Sequence, residues 1–565
     1  MLMMLGSGMA EVVSLAAVVP FLAMLTDPQR LWQLPPVQWL AEAVGITGSQ
    51  ELLLPVTLLF GLAAVLAAAV RLLNLWLTGR LAASIGSDLS YEAYRHTLYQ
   101  SYAVQVQRNS SVVITAITGQ ISKTVQVLNA TLQLATAAVV ALGLLGTLIA
   151  VERAVACSAM VVYGTVYVVL SWKSRRRLAA NSRLEATDSQ QLLKALQEGL
   201  GAIRDVLLEG NQAIFLEIYR KTDRPMRLRQ AENSFLGASP RFLLEALGIL
   251  LIAIFALILS WQRGSSLTVL PLLGTLALGS QKLLPALQQI FSSWASIRSQ
   301  HAAVEQVLAM LDQPLPRHAM EAAPATLKLD NKVLLQRLHF RYGPKEPWVL
   351  EGIDLEIRHG ERIGLIGSTG SGKSTLVDLL MGLLSPTEGH ITIDGKDLHD
   401  PDHPERLRAW RAAIAHVPQS IFLADSSIAE NIAFGIPKQA IDMSRVRKAA
   451  KQAMINGFID SSTEGYDTFV GERGIRLSGG QRQRIGIARA LYKQASVIVL
   501  DEATSALDTA TEEAIIATLE GLSPQLTVIM IAHRLSTVAR CDRLIRLEQG
   551  RIAANGPPRL VLNPP

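Results

Sequence analysis

The residues of this chain best suited to chemistry lie between positions 367 and 375. The stretch Gly367-Ser-Thr-Gly-Ser-Gly-Lys373-Ser374 matches the phosphate-binding loop (P-loop) pattern at every position. Its glycines permit backbone angles that a Cβ atom would forbid, so that successive N–H groups can face one anion, and Lys373 adds a mobile positive charge. A buried strand at 362–366 and an amphipathic helix at 375–381 are predicted on either side of the loop. The sequence therefore predicts a site for nucleotide phosphates.

Two further predicted strands each lead into residues that suit nucleotide hydrolysis. The buried run 497–500 precedes Asp501, which suits a position near Mg²⁺, and Glu502, which suits a general base acting on water. The buried run 527–531 precedes His533, whose position suits a contact to the γ-phosphate. Hydrolysis of ATP requires neutralised phosphate charge, a held Mg²⁺ ion and an aligned water. We therefore expect ATP and Mg²⁺ to be the ligands of this part of the chain.

The composition divides the chain into two parts. Of the 565 residues, 50% are hydrophobic and only 18% are charged, which is few for a soluble protein of this length. The first half holds six apolar windows long enough to cross a bilayer, at 2–25, 52–77, 127–150, 154–172, 242–261 and 267–290. We predict a transmembrane domain at 1–310, a proline-containing linker at 311–325 and a soluble domain at 326–565.

The loops between the windows predict the orientation of the chain. The loops at 79–126 and 173–241 are basic, so they and both termini are expected in the cytoplasm of a plasma (inner) membrane protein. Anionic lipid headgroups would meet these basic side chains, so the net charge of +6 does not indicate a nucleic-acid partner. In both loops glycine and proline occur only at scattered positions and do not form the punctuation typical of connectors. We expect helical rods there, with turns near 107–110 and 209–215.

Two charged residues stand inside apolar windows, where charge is costly. Glu11 is either a cavity-lining group or a carboxylate near the interface, and both interpretations stay open. Arg71 lies about 28 Å past Leu52 at ~1.5 Å per residue, so we interpret it as an anchor that snorkels to the inner interface. The first window is not typical of a cleavable signal peptide, because it has no basic start and no small-residue cleavage site.

Several motifs resemble those of the ATP-binding cassette (ABC) transporters, and the resemblance covers nearly the whole chain. Leu477-Ser-Gly-Gly-Gln481 resembles the signature of that family, Val470-Gly-Glu-Arg-Gly474 is similar to a segment met mainly in exporters, and Ser505-Ala-Leu-Asp508 resembles the loop that crosses to a partner. The resemblance implies a membrane α-helical domain with six transmembrane helices of the exporter type. An α/β P-loop nucleotide-binding domain would follow it.

The resemblance also implies roles for single residues and for a partner. Tyr342 would stack on adenine, and Gln419 would touch Mg²⁺ and relay to the spans. The helix that the signature opens would face a phosphate bound to the other subunit. A chain with six spans and one ATPase domain would pair with a second half-transporter, and a homodimer is favoured because Glu502 and the signature are both intact.

The candidate site residues fall into three groups. Catalytic roles are assigned to Glu502, His533 and Lys373. Contacts to Mg²⁺ are assigned to Ser374, Gln419 and Asp501. Contacts to the nucleotide are assigned to Tyr342, Gly367, Ser368, Thr369, Gly370, Ser371, Gly372, Lys373, Ser374, Thr375, Gln419, Ser478, Gly479, Gly480 and Gln481.

The transported substrate is indicated by two segments of the first half. The stretch 11–28 and the outer loop 35–44 are similar to those of bacterial lipid-linked oligosaccharide flippases and related glycolipid or polysaccharide exporters. The loop could form an amphipathic helix at the level of the lipid headgroups, or it could be an ordinary ordered loop. We expect membrane lipids and an amphipathic, lipid-linked substrate as partners. The alternatives are export of a drug, a lipid or a peptide and, from another class, an ATP-gated channel or regulatory subunit.

Overall fold

The computed structural model describes residues 52–151, 153–263, 266–315, 326–502, 508–522, 525–531 and 538–562, together with residues 3, 6–10, 13, 17, 21 and 32. The chain forms two compact units. The first comprises residues 1–99 and 108–315, and the second comprises residues 100–107 and 316–565. Residues 100–107, which we predicted to belong with the spans, therefore pack with the second unit.

Long helices make up the first unit. They are α1 (Leu53–Leu98), α3 (Ser110–Thr115), a π-helical turn (Ala116–Gln120), α4 (Ile121–Val151), α5 (Arg153–Gly201), α6 (Ile203–Leu208), α7 (Gln212–Arg263), α8 (Ser266–Ser299) and α9 (His301–Leu311). The 52 residues of α7 would extend about 78 Å at ~1.5 Å per residue, far beyond a hydrocarbon core of about 30 Å. The predicted helical rods are thus confirmed, and the chain turns between α6 and α7 as expected.

The count of six spans stays a prediction. Among the described residues, the stretches Leu53–Leu98 and Ser110–Gly146 are long and apolar enough to cross a membrane. The predicted windows from 52 onward coincide with α1, α4, α5, α7 and α8. The window at 2–25 falls mostly outside the described residues, and the outer loop 35–44 lies wholly outside them.

The second unit combines two sheets with short helices. Its helices are α2 (Tyr102–Gln107), α10 (Lys373–Leu380), α11 (Glu405–Ala413), α12 (Ile428–Ile432), α13 (Met443–Gln452), α14 (Asn456–Ser461), α15 (Gly479–Lys493), α16 (Thr509–Leu522) and α17 (Pro558–Leu562). Short 3₁₀ turns lie at Lys438–Ala440, Gly465–Asp467 and Glu472–Gly474. Its strands are β1 (Lys332–Phe340), β2 (Leu350–Arg358), β3 (Arg362–Ile366), β4 (Glu388–Ile393), β5 (Lys396–Asp397), β6 (Ile414–Val417), β7 (Val497–Asp501), β8 (Thr527–Ile531), β9 (Arg543–Glu548) and β10 (Arg551–Gly556).

The larger sheet positions the candidate site. Its strand order is β10-β9-β3-β8-β7-β6, and every neighbouring pair from β9 to β6 is parallel. The apolar residues of β3, β7 and β8, among them Ile363, Val499 and Ile529, are buried, as expected for the central strands of a parallel sheet. The strands predicted at 362–366, 497–500 and 527–531 are confirmed. Their carboxyl ends meet at one edge, where ligands of open α/β sheets bind.

A smaller antiparallel sheet has the order β2-β1-β4-β5. Its inner face joins one apolar core with β3 and α10, in which Leu335, Ile353, Ile363 and Leu376 have no exposed surface. This shared core ties β2 to the strand and the helix on either side of the P-loop.

Candidate nucleotide site

The P-loop joins β3 to α10 in a geometry that requires glycine. Gly372 lies just before α10 with a φ of +100°, and a Cβ atom there would stand 2.7 Å from Leu350 Cδ2. A Cβ atom on Gly367 would stand 2.3 Å from the carbonyl oxygen of Leu547. Strands β2 and β9 therefore press on the loop from outside. Substitution at either glycine would open the cradle formed by the backbone.

Lys373 is buried at the centre of this cradle. Its Nζ donates hydrogen bonds to the carbonyl oxygens of Gly367 at 2.8 Å and Ser368 at 2.9 Å. The hydroxyl of Ser371 is also buried and has no hydrogen-bond partner among the described residues. A cation and an unsatisfied donor in one concave loop are the groups that a phosphate would satisfy. The residues present therefore fit the predicted phosphate ligand.

Tyr342 lies beside the first turn of α10. Its hydroxyl is 3.2 Å from Thr375 Oγ1, and its ring packs edge-on against Phe340 at a centroid distance of 5.0 Å. Ser374 is exposed in the same turn, where its hydroxyl is accessible to a metal bound with phosphates. The stacking of Tyr342 on adenine and the contact of Ser374 with Mg²⁺ stay predictions.

Helix α2 contributes contacts that we did not predict. Gln107 Nε2 donates to the carbonyl oxygen of Tyr342 at 3.4 Å. Burial raises the pKa of Tyr102, and the nearby Asp378 and Tyr342 raise it further. Short hairpin segments of this kind are usually plain connectors. The only feature of the sequence that could have indicated these contacts is a tyrosine inside a break between two long helices, which is a weak signal.

Gln419 and Glu502 form a direct contact at the carboxyl edge of the sheet. Gln419 follows β6 by two residues, and Glu502 follows β7. Gln419 Nε2 donates to Glu502 Oε2 at 2.7 Å, and the backbone N–H of Glu502 donates to the carbonyl oxygen of Ile531 at 3.0 Å. Glu502 has a φ of +48°, a left-handed conformation that costs a non-glycine residue free energy and is frequent at functional sites.

Asp378 is a further acidic group that we did not predict. It lies on α10, and burial together with the charge of Asp501 raises its pKa from 3.8 to about 6. Two neighbouring carboxylates repel each other and attract a cation. Asp501 itself ends β7, where we predicted a residue close to Mg²⁺. The sequence position of Asp378, five residues after Lys373, gives no indication that it lies near Asp501.

The signature stretch begins helix α15. Ser478 is its N-cap: the Ser478 hydroxyl accepts from the N–H of Gln481, and Gln481 Oε1 accepts from the N–H of Ser478 at 2.8 Å. This reciprocal capping box leaves the first N–H groups of the helix, at Gly479 and Gly480, directed out of its N-terminus. That geometry suits an anion. The side chain of Gln481 is engaged within its own chain, and its nucleotide contact stays a prediction.

Of the remaining predicted residues, some lie in the described part of the chain and others do not. Thr369 and Gly370 lie on the P-loop between β3 and α10. Asp508 accepts a hydrogen bond from the N–H of Thr511 at the start of α16. His533 and residues 505–507 fall outside the described residues.

The raised pKa of Asp378 predicts a pH-dependent stability. An acid whose pKa is raised by folding destabilises the folded state as it ionises, so the cost appears between pH about 4 and 6 and is fully present above pH 6. Replacing Asp378 by asparagine should therefore raise the free energy of unfolding at pH 7.5 by about 1 kcal/mol after screening by solvent, and with it the melting temperature. The difference from wild type should vanish near pH 4. Thermal unfolding without nucleotide and with a chelator measures it.

The control for this experiment is Asp460→Asn, which changes an exposed acid on α14. It should leave the melting temperature unchanged at every pH. An Asp378→Asn protein no more stable than wild type at pH 7.5 would contradict the assignment.

Comparisons with known proteins show which family the chain belongs to. The profile of the ABC transporter family matches residues 350–505. The ATP-dependent lipid A-core flippase of Cupriavidus metallidurans is 34% identical over 68% of this chain, and the alignment spans 64% of that relative, slightly less than two thirds. The flippase of the same name from Ralstonia nicotianae is 30% identical over 82% of this chain and 78% of its own length.

A solved structure supports the same relationship for the fold. A bacterial Atm1-family ABC exporter with ATP bound superposes with a TM-score of 0.78 at 25% identity, covering 99% of this chain and 95% of that exporter. The predicted architecture, a transmembrane helical region followed by a nucleotide-binding domain, is thereby confirmed. By sequence and by fold, the chain belongs to the ABC transporter family.

Proposed function

We propose that this protein is an ATP-driven exporter or flippase, working as a pair of half-transporters, that moves a lipid-linked saccharide or glycolipid across the plasma (inner) membrane. The observation that carries the proposal is the gathering of the P-loop, Asp501, Glu502 and Gln419 at one sheet edge. The names of the relatives, lipid A-core flippases, support the glycolipid. We expect the nucleotide-binding domain to lie in the cytoplasm.

The site residues suggest a division of labour. Mg²⁺ bound together with ATP would supply positive charge to the phosphates, and Ser374, Gln419 and Asp501 are the residues that would hold it. Lys373 and the loop N–H groups would bind the β- and γ-phosphates. Glu502 would accept a proton from the attacking water. The amide of Gln419 now donates to Glu502, so turning this amide toward the metal would release the carboxylate as a base.

Helix α2 offers a mechanical link between nucleotide and spans. It follows α1 after three residues and precedes α3 by two, yet it packs with the second unit through Tyr102, Ala103 and Gln107. A shift of Tyr342 on binding adenine would act on Gln107 directly, since the two residues share a hydrogen bond. Such a shift would be passed on to α1 and α3 by covalent continuity. Binding of ATP could in this way change which side of the membrane the substrate cavity faces.

A cavity in the first unit supports a phosphorylated lipid as substrate. The Arg71 cavity has a volume of about 380 Å³ and is lined by Arg71, Asn74, Thr78 and Gln133 among other residues. Gln289 Nε2 donates to Gln133 Oε1 at 2.9 Å on its wall. We interpreted Arg71 as an interfacial anchor, but a guanidinium on the wall of a cavity also suits a phosphate group. Leu75 and Val140 add apolar surface for the acyl or prenyl portion.

The first test of this function uses Glu502→Gln in proteoliposomes that contain a fluorescent polyprenyl diphosphate oligosaccharide. The amide can orient water but cannot accept its proton, so steady-state hydrolysis should fall by at least about 100-fold while ATP remains bound. Wild-type protein should move the lipid between leaflets only with ATP. Phosphate release and accessibility of the fluorophore to a quencher measure the two activities.

The matched control is Glu513→Gln, which changes an exposed carboxylate on α16 and should keep both activities. Hydrolysis by Glu502→Gln near the wild-type rate would exclude Glu502 as the base. Should wild-type protein move no lipid-linked saccharide or glycolipid, but transport a hydrophobic drug that stimulates its ATPase, the substrate assignment would be wrong and general export would stand.

The second test concerns the shared sites of a homodimer. In a covalently linked dimer, Lys373→Ala in one half and Ser478→Arg in the other should damage the same composite site and leave the second site whole. Nucleotide trapping should then find one occupied site. Placing both substitutions in the same half is the matched control, because it damages both sites and should abolish trapping. The reverse pattern, with no trapping when the substitutions are in different halves and one occupied site when they share a half, would mean that each chain builds its site alone.

A further inference from the structure

A second cavity in the first unit, here called the amide cavity, has a volume of about 500 Å³ and lies among α4, α5, α7 and α8. Ten of its thirteen lining residues carry polar side chains, among them Gln230, Asn233, Ser296 and Gln300, and the other three are glycine or alanine. The volume is within the range of ligand pockets, about 300–1,000 Å³. A wall of this composition favours a polar ligand over an apolar one.

The charges in this wall are already paired. Lys123 Nζ lies 2.8 Å from Glu185 Oε1, and Gln230 Nε2 donates to the same oxygen at 3.1 Å. Glu185 retains only 8% of its surface exposed. An anionic ligand would have to compete with a buried carboxylate for Lys123, which disfavours it. The cavity is thus suited to an uncharged ligand that makes hydrogen bonds.

The amide groups of the cavity offer both donors and acceptors. Gln300 Nε2 donates to Gln126 Oε1 at 3.1 Å, whereas the buried Oε1 of Gln300 has no hydrogen-bond partner among the described residues. Asn233 Oδ1 accepts from Asn181 at 3.0 Å, so its Nδ2 group can donate elsewhere. Hydroxyl groups of a ligand could satisfy both kinds of site at once. An apolar ligand would leave the buried acceptor unsatisfied, at a cost in affinity.

The amide cavity extends from the level of the lipid headgroups into the cytoplasmic rods. Gln126 on α4, Ala238 on α7 and Ser292 on α8 lie close to the predicted spans 127–150, 242–261 and 267–290. Glu185 and Gln230 lie 13 and 12 residues beyond the predicted spans 154–172 and 242–261. A smaller cavity of about 280 Å³ shares Ser292 with the amide cavity and Gln289 with the Arg71 cavity. The three cavities therefore follow α8 from the cytoplasmic headgroup level into the spans.

We propose that the amide cavity binds the saccharide of the transported lipid through hydrogen bonds between sugar hydroxyls and the side chains of Asn233, Ser296 and Gln300. This inference rests on the proposed function for the lipid portion of the substrate. It adds a site for an uncharged glycan that is separate from Arg71. Because Lys123 is already paired with Glu185, the site binds its ligand through hydroxyl groups rather than through charge.

The test compares two probes that share one lipid. Wild-type protein in nanodiscs is titrated with a polyprenyl diphosphate that carries a neutral oligosaccharide and with the same polyprenyl diphosphate without sugar. The glycosylated probe should bind at least about tenfold more tightly, because its sugar makes two or more hydrogen bonds that the bare lipid cannot make. Asn233→Leu and Ser296→Val should each lower affinity for the glycosylated probe roughly fivefold and leave affinity for the bare lipid unchanged.

The matched control is Ser122→Ala on α4, an exposed position next to Lys123 that does not line the cavity. It should bind both probes as wild type does. The free oligosaccharide should displace bound glycosylated probe from wild-type protein, but it should not displace bound bare lipid. This measurement uses wild-type protein only, so it does not depend on the folding of any variant. Equal affinity of wild type for the two probes would contradict the inference alone. Failure of wild type to bind either probe would contradict the proposed function as well.

Discussion

The candidate site depends on the buried ammonium group of Lys373 and the two carbonyl oxygens that hold it. Burying a charge is costly unless it is paired, and here Gly367 and Ser368 are its partners. The loop cannot relax outward, because β2 and β9 press on its glycines. The unsatisfied hydroxyl of Ser371 lies in the same concavity. A phosphate group would accept hydrogen bonds from the cation, the hydroxyl and the backbone N–H groups together. The loop is therefore suited to bind a nucleotide.

The residues to which we assign hydrolytic roles lie at the same sheet edge. Gln419 donates to the carboxylate of Glu502, whose left-handed backbone is kept in place by a hydrogen bond to β8. In the mechanism proposed above, this amide turns from Glu502 to the metal and leaves the carboxylate to act on water. The carbonyl oxygen of Tyr342, beside the P-loop helix, accepts a hydrogen bond from Gln107 of α2.

Local patterns predicted the elements around the site well, whereas contacts between elements were predicted poorly. Strands β3, β7 and β8 are short buried runs beside unmistakable motifs, and their bounds agree with the predictions within one residue. The capping box of α15 could also have been predicted, because Ser478 and Gln481 have the required spacing. Asp378, Tyr102 and the contact between Gln419 and Glu502 arise only when distant segments meet. The cavity beside Arg71 also forms only where distant segments meet. The sequence argument used helix length alone, and it therefore placed Arg71 at the membrane interface.

The central claim is that nucleotide phosphates replace the backbone carbonyls as partners of Lys373, while Gln419 turns from residue 502 to the metal. A structure of the Glu502→Gln protein with Mg²⁺ and ATP tests it most directly. The account predicts Lys373 Nζ at about 3 Å from oxygens of the β- and γ-phosphates, with the side chain of Gln419 at the metal. A nucleotide bound while Lys373 still donates to the carbonyl oxygens of Gly367 and Ser368 would contradict it.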